Sequence, residues 1–332
     1  MGLVSVADRA LEWLVVPSFT RTGYVLRRRM YRWRSLPSYD LSERVALVTG
    51  ATSGIGFAAA EALAQMGAHV IVLGRDPQRT EAAVHDLRSR TGSERFSMIV
   101  ASMDDPAAVR AAAAEVATRH AHLDILVHNA GALALDYRRS PMGIEQTAAA
   151  QVVGPFLLTG LLLDRLGEGS PGRVITVASG GAYLAPLTVS GLDPAPPAFD
   201  GAQQYARAKR AQITLTELWA ERAQRRSIVF HAMHPGWVDT PGLAASLPRF
   251  RGVVGRLLRT PEQGADTIGW LAADEHPAGL NGAFWLDRAP RSRHRIARTR
   301  VADTPERRAR LWEWCEQVSG WSLPAHAARG NA

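Results

Sequence analysis

The sequence predicts an α/β fold, a doubly wound parallel sheet in one domain over about residues 41–290. An amphipathic and basic extension (1–40) precedes it and a basic tail with a short helix (291–332) follows. Three observations carry this reading. The apolar run Arg44-Val45-Ala46-Leu47-Val48-Thr49 leads into Gly50-Ala51-Thr52-Ser53-Gly54-Ile55-Gly56 and then an alanine-rich stretch from Phe57 to Met66, which spells strand, glycine turn and helix. Strand and helix signals then alternate down the chain, the pattern of parallel strands joined by crossover helices. Apolar residues make up 46% of 332, ample for one large core.

Ahead of the core, Leu3, Val6, Ala10, Leu11, Leu14 and Val15 fall on one helical face, and Pro17 ends the pattern. Tyr24, Leu26, Met30, Tyr31 and Trp33 then interleave with Arg27-Arg28-Arg29, Arg32 and Arg34. Two readings fit residues 1–34. One is an amphipathic anchor lying on an anionic membrane surface. The other is a helix folded back over the core or against a second subunit, a homodimer being the assembly left open. The net charge of +8 concentrates in this segment and in the run from Arg288 to Arg300. No nucleic-acid-binding module accompanies the charge, so nucleic acid is not an expected partner. No 18-residue apolar run predicts a spanning helix. The single cysteine, Cys315, excludes an intrachain disulfide and a cysteine-based metal cluster and fits a reducing, cytoplasmic compartment. No metal site is expected.

In the glycine turn, small residues let the backbone approach a pyrophosphate, while the helix start offers N–H donors and partial positive charge. Gly50, Thr52, Ser53, Gly54, Ile55 and Gly56 are therefore expected to cradle a dinucleotide. The second strand, His69 to Leu73, ends in Gly74-Arg75-Asp76. The fork of Arg75 suits a ribose 2′-phosphate, which favours NADP(H) over NAD(H); in the competing reading Asp76 swings to a free 2′-hydroxyl. Strand 3 is expected from Ser97 to Ala101 and strand 4 from Leu123 to Val127. A helix follows from about Gly143 to Leu163, and strand 5 runs from Val174 to Val177. Next comes the helix from Gln203 to Gln224, which holds Tyr205 and Lys209, the only lysine in the chain. Residues i and i+4 share a helix face. An ammonium beside a phenol lowers the phenol's pKa from about 10 and equips it to move protons near neutrality.

Together the glycine turn, Asn129-Ala130-Gly131 after the fourth strand, Ser179 after the fifth, Tyr205 with Lys209, and Pro235-Gly236 after the sixth resemble the short-chain dehydrogenase/reductase family. The resemblance covers about residues 41–290. The run Thr216-Glu217-Leu218-Trp219-Ala220 and the run from Met233 to Gly242 resemble, more narrowly, its member-twelve branch. The resemblance implies a Rossmann fold. It also implies that Ser179 hydrogen-bonds the substrate oxygen, that Tyr205 is the general acid/base, and that Lys209 holds the nicotinamide ribose. Asn129, Ala130, Gly131, Pro235, Gly236, Val238 and Thr240 would line the cofactor. Gln151 stands where members carry an asparagine whose backbone carbonyl holds a proton-relay water. Ser102 stands where an aspartate receives the adenine amino group, with Asp104 or Asp105 as substitutes. His128 replaces the first of two asparagines and is expected to stabilise the sheet. Residues 241–260, read as loop-like at first and then amphipathic, fall where the family has its mobile substrate lid, and Tyr183 to Gln204 reads as an ordered loop beside the site.

The expected function is hydride transfer between NADP(H) and a carbonyl or secondary alcohol. Tyr183, Leu184, Trp237 and Leu243 suggest a lipophilic small molecule. The alternative class is a scaffold or sensor that binds the nucleotide and turns over negligibly, motivated by Ser102, His128 and Gln151. The expected location is the cytoplasm, with a peripheral membrane position as the variant.

Overall fold

Seven strands run parallel: β1 (Val45–Thr49), β2 (His69–Gly74), β3 (Phe96–Val100), β4 (Ile125–His128), β5 (Gly172–Val177), β6 (Ile228–Met233) and β7 (Phe284–Leu286). A short β8 (Ala289–Pro290) turns back antiparallel to β7. The computed structural model describes residues 3–168, 171–223 and 227–324. Gln224 and residues 325–332 of the tail therefore lie outside the described residues, as does the side chain of Leu3. The spatial order is β3-β2-β1-β4-β5-β6-β7-β8, so the winding reverses between β1 and β4. That reversal opens a crevice at the carboxyl ends of the strands. Leu47, Ile71, Leu126 and Ile175 are fully buried because helices cover both faces of the sheet.

In chain order the helices are α1 (Leu3–Trp13), α2 (Val15–Phe19), α3 (Arg21–Met30), α4 (Gly54–Gln65), α5 (Pro77–Thr91) and α6 (Pro106–Arg119). Next come a one-turn α7 (Gln146–Ala148), a π-helical turn over Ala149–Val153, α8 (Gly154–Leu162) and α9 (Gly201–Arg222). The series ends with α10 (Pro241–Ser246), α11 (Pro248–Val254), α12 (Pro261–Ala273), α13 (Ala297–Val301) and α14 (Pro305–Ser319). One core joins residues of α4, α5 and α12 under one face of the sheet. The other joins residues of α6, α8, α9 and α14 under the opposite face. In that second core Trp312 of α14 meets Phe156 and Trp219 edge-on, at 4.9 and 4.7 Å between ring centres.

Three elements depart from the expected pattern. The helix from Gly143 to Leu163 is interrupted by the π turn, because Pro155 has no N–H for the carbonyl four residues back and its ring crowds that carbonyl. Pro17 does not end the first helical pattern but sits in the first turn of α2, where its missing N–H costs nothing. The break comes earlier, at the extended Leu14 (φ −88°, ψ 91°), since a continuous helix would drive the Pro17 ring into the Trp13 carbonyl. The lid segment folds directly into α10 and α11 rather than beginning as a loop.

The extension folds back on the core with its polarity inverted. Asp8 and Arg27 are buried, while Val6, Trp13, Leu14, Val15 and Val16 face outward, Trp13 at 86% exposure. Five arginines of the basic run are spoken for as well. Arg288 forks onto Asp266 (2.7 Å to each oxygen), Arg291 pairs with Asp8, Arg293 with Glu217, Arg295 with Glu12, and Arg298 donates to the Leu184 carbonyl. The basic run is thus a set of staples between distant segments. Among the described residues, no helix is long and apolar enough to cross a membrane.

Candidate active site

The ends of β1 and β4 are locked by Thr49, a residue sequence reasoning missed. Its Oγ1 donates to the Val127 carbonyl (3.2 Å) and accepts from the amides of Asn129 and Ala130 (3.0 Å each). Asn129 Nδ2 returns bonds to the carbonyls of Thr49 (3.0 Å) and Gly50 (3.2 Å). Gly50 has φ +66°, and a Cβ there would lie 2.8 Å from the Ala130 Cα; only glycine makes that turn without strain. A Cβ on Gly56 would come within 2.3 Å of Asn129 Nδ2, so its absence lets α4 start close against the strand ends. The amides opening α4 at Gly54, Ile55 and Gly56 are not capped by the Ser53 side chain. Exposed donors at a helix start fit a pyrophosphate. Across the crevice, Thr240 caps α10 (3.1 Å to the Leu243 amide) and lies against Gly54.

At the far end of the crevice the two candidates for the ribose separate. Asp76 caps α5 through the Arg79 amide (2.8 Å), so its carboxylate is engaged. Arg75 is exposed and makes no hydrogen bond or ion pair among the described residues. The adenine substitutes are engaged too. Asp105 caps α6, and Asp104 accepts from Ser102 Oγ and from Gln146 Nε2 (2.7 Å). Ser102, half-buried, donates its hydroxyl proton in a hydrogen bond to Asp104 and keeps its lone pairs to accept.

The Asp200 carboxylate caps α9 (2.7 Å to the Gln203 amide) and so sets the register that stacks Tyr205 and Lys209. Ser179, at the end of β5, accepts from the Gly181 amide (3.2 Å) and hydrogen-bonds Tyr205. The half-buried Tyr205 phenol is pushed up from its ordinary range by burial, and the bond to Ser179 partly offsets the rise. Lys209 Nζ is buried, lies 5.3 Å from the Tyr205 ring centre and donates to the Val177 carbonyl (2.9 Å). Burial pulls its pKa down to about 7. The expectation of a lysine acidifying the tyrosine thus meets a different balance: desolvation dominates both groups, and the amine is turned to the end of β5. The amine is enclosed beside the crevice, not displayed to bulk solvent.

Gln151 is buried under Gly131, its Nε2 donating to the Ala132 carbonyl (2.7 Å). Its own backbone carbonyl, the one Pro155 crowds, accepts from Gln212 Nε2 at 2.7 Å. A side-chain amide therefore stands where the family resemblance implies a relay water. The Oε1 atoms of Gln151 and Gln212 are both buried without a partner among the described residues. The sequence signal for this was Pro155, four residues after Gln151.

His128 behaves as a sheet residue, buried with its Nε2 2.7 Å from Thr159 Oγ1 and its pKa pushed down to about 3 by burial. His234 is buried as well, its Nδ1 accepting from the Gly236 amide (3.3 Å). The ordered loop is tied down by Gln204 Nε2, which donates to Glu145 (2.7 Å) and to the Leu192 carbonyl (2.6 Å). Ser246 of α10 reaches across to the Leu133 carbonyl (2.8 Å). Among the described residues no cluster of His, Cys, Asp or Glu could hold a metal ion.

Fold and crevice together define a dinucleotide-binding, doubly wound α/β protein. Residues 44–249 match the family profile described as short chain dehydrogenase. The chain is 33% identical over 314 residues to dehydrogenase/reductase SDR family member 12 of Bos taurus, covering 94% of this chain and 98% of the relative. It is 30% identical to retinol dehydrogenase 11 of Mus musculus over 75% of this chain and 79% of that one. A short chain dehydrogenase from Burkholderia cenocepacia in complex with NADP matches in structure with a TM-score of 0.61 at 28% identity, over 74% of this chain and 96% of that one. The chain belongs to the short-chain dehydrogenase/reductase family, a family of oxidoreductases.

Proposed function

We propose that this protein transfers a hydride between NADP(H) and a carbonyl or secondary alcohol of a lipophilic small molecule. The observation that carries the reading is the cluster of Ser179, Tyr205 and the enclosed Lys209 beside the crevice that holds the glycine turn. When bound, the nicotinamide supplies or accepts the hydride. Ser179 holds the substrate oxygen by hydrogen bonding, and Tyr205 gives that oxygen its proton during reduction or takes it during oxidation. Lys209 has donors beyond the one spent on Val177 and uses them on the nicotinamide ribose. Gly50, Thr52, Ser53, Gly54, Ile55, Gly56, Asn129, Ala130 and Gly131 hold the nucleotide on one side, and Pro235, Gly236, Val238 and Thr240 on the other. The free fork of Arg75, with Asp76 committed to its cap, supports NADP(H). The relative named for retinol and the relative structure solved with NADP support the substrate class and cofactor.

NADPH oxidation over a broad carbonyl panel, with Tyr205→Phe as control, tests the assignment. Turnover should fall about a hundredfold or more in the variant. A wild type no faster than the variant on every compound would favour the nucleotide-binding scaffold, for which the occupied Gln151 carbonyl is the supporting observation.

The outward Trp13, Leu14, Val15 and Val16 support a peripheral membrane position, since an apolar elbow led by tryptophan suits the headgroup boundary. Flotation with anionic vesicles should carry the full chain, and Trp13→Ala with Leu14→Ala should leave it in the soluble fraction. Equal partitioning of the two would sink the membrane reading.

A further inference from the structure

The Pro235-Gly236-Trp237 segment is supported from behind by residues far away in sequence. Arg259 lies directly on Gly236, which has φ +81°; a Cβ there would come within 2.3 Å of Arg259 Nε. The same guanidinium donates to the Pro235 carbonyl (3.2 Å), and the Arg259 amide donates to the Trp237 carbonyl (2.8 Å). Arg259 is only 1% exposed and is itself held by three neighbours. Asp287 accepts from it twice (2.5 and 2.8 Å), and the carbonyls of Ser18 and Thr20 accept from its remaining N–H groups (2.9 and 3.2 Å).

Those two carbonyls belong to the extension, which is fastened by a second buried guanidinium. Arg27 donates to Asp8 (2.7 Å), Asp287 (2.7 Å), the Ser18 hydroxyl (2.9 Å) and the Ser18 carbonyl (3.2 Å). Between Ser18 and Thr20, whose carbonyls Arg259 holds, the chain places Phe19. Its carbonyl accepts from the Trp237 amide (2.7 Å), and its ring meets His234 edge-on at 4.4 Å. The ring also lies against Gly180, the residue after Ser179. Buried charges kept in fully hydrogen-bonded geometry hold their neighbours in one arrangement, at a desolvation cost that apolar packing would avoid.

We infer that the N-terminal extension is a working part of the cofactor site, in which Arg27 and Asp287 hold Arg259 and Phe19 as a brace behind Pro235-Gly236-Trp237. Arg27, Arg259 and Asp287 are positioning residues here, since none faces the crevice. The inference rests on the nicotinamide reading above and adds to it that cutting the brace loosens nucleotide binding from a distance.

The test needs no substrate. Arg27→Met keeps the length of the side chain and orphans no carboxylate, because Asp287 retains Arg259, Asp8 retains Arg291 and Glu12, which Arg27 also contacts, retains Arg295. NADPH titration followed by nucleotide fluorescence should give a Kd about tenfold higher in the variant than in the wild type. Circular dichroism checks that the variant is folded. A second measurement uses the unaltered full chain. NADPH should slow hydrogen exchange of amides in residues 15–27 as well as 234–240. An unchanged Kd in folded Arg27→Met would reduce the network to a structural staple, while leaving the cofactor reading intact. Should the variant not fold, Asp8→Asn and the exchange experiment decide, and exchange at 15–27 indifferent to NADPH overturns the inference. A wild type that binds neither NADPH nor NADH overturns both readings.

Discussion

Between β1 and β4 the rim of the crevice is made of small groups: Gly50, Thr49 and Asn129 close on one another through hydrogen bonds of 3.0–3.2 Å, with Gly56 packed against them. Beyond β6 the same rim is carried by long charged ones, Arg259 and Arg27 converging on Asp287. The first side gains precision by removing side chains, so that backbone groups approach each other and an incoming phosphate. The second gains it by threading guanidiniums among the carbonyls of Ser18, Thr20 and Pro235. Small residues make a cradle that works with its immediate chain neighbours. A charge knot makes a wall from segments that share nothing but proximity.

The largest test of this contrast is Asp287→Asn. It leaves two buried guanidiniums short of their shared carboxylate and should cost about 3–5 kcal/mol in urea unfolding. Thr49→Val on the other side, which removes a neutral latch, should cost only about 1–2 kcal/mol. Equal costs would erase the distinction.

Lys209 provides a pH signature confined to the crevice. Its folded pKa of about 7 lies below an unfolded value of about 10.4. Below about pH 7 the amine is charged in both states and its burial penalty is fully present. Between about 7 and 10.4 the unfolded chain binds a proton that the folded one does not, so stability rises with pH. Relative to Lys209→Met, the wild type should therefore gain roughly 3 kcal/mol between pH 7 and 10. A flat difference would mean that the amine is solvated.

Arg75→Ala sharpens the cradle side at lower amplitude. It should weaken NADPH binding about tenfold and leave NADH binding within about twofold, as loss of one charge-assisted phosphate contact requires. Equal losses for the two nucleotides would remove Arg75 from the 2′-phosphate. The smallest effect belongs to an exposed pair. Arg251 forks onto Asp239 (2.7 and 3.1 Å), yet Arg251→Ala should leave the urea unfolding curve nearly unmoved because both groups are solvated. A loss as large as that of Asp287→Asn would show that burial is not what separates the two charge sets.

The doubly wound sheet was legible because each strand carries its own apolar run and each turn its own breaker. The glycine turn was legible for the same reason, and so was the stacking of Tyr205 on Lys209, which needs only helix geometry and a cap at Asp200. The π turn was within reach, since Pro155 must disturb the carbonyl of Gln151. What then satisfies that carbonyl, Gln212 from another helix, depends on how α8 and α9 meet. The amphipathic pattern of α1 left a membrane surface and the core both open to its apolar face, and the fold buries Asp8 and leaves Trp13 outside. Hydrophobic periodicity names a face without saying what it will meet.

By itself the sequence determined the order of strands and helices, the places where only glycine or proline fits, and the i+4 pairing of a phenol with the single amine. All of these follow from backbone sterics among residues close along the chain. Only the tertiary structure decided which of 38 arginines meets which of 31 acids, and with it the link from Arg27 to Arg259 across more than two hundred residues. Charge attracts without regard to sequence spacing, so its partners are chosen by the packing of the whole chain.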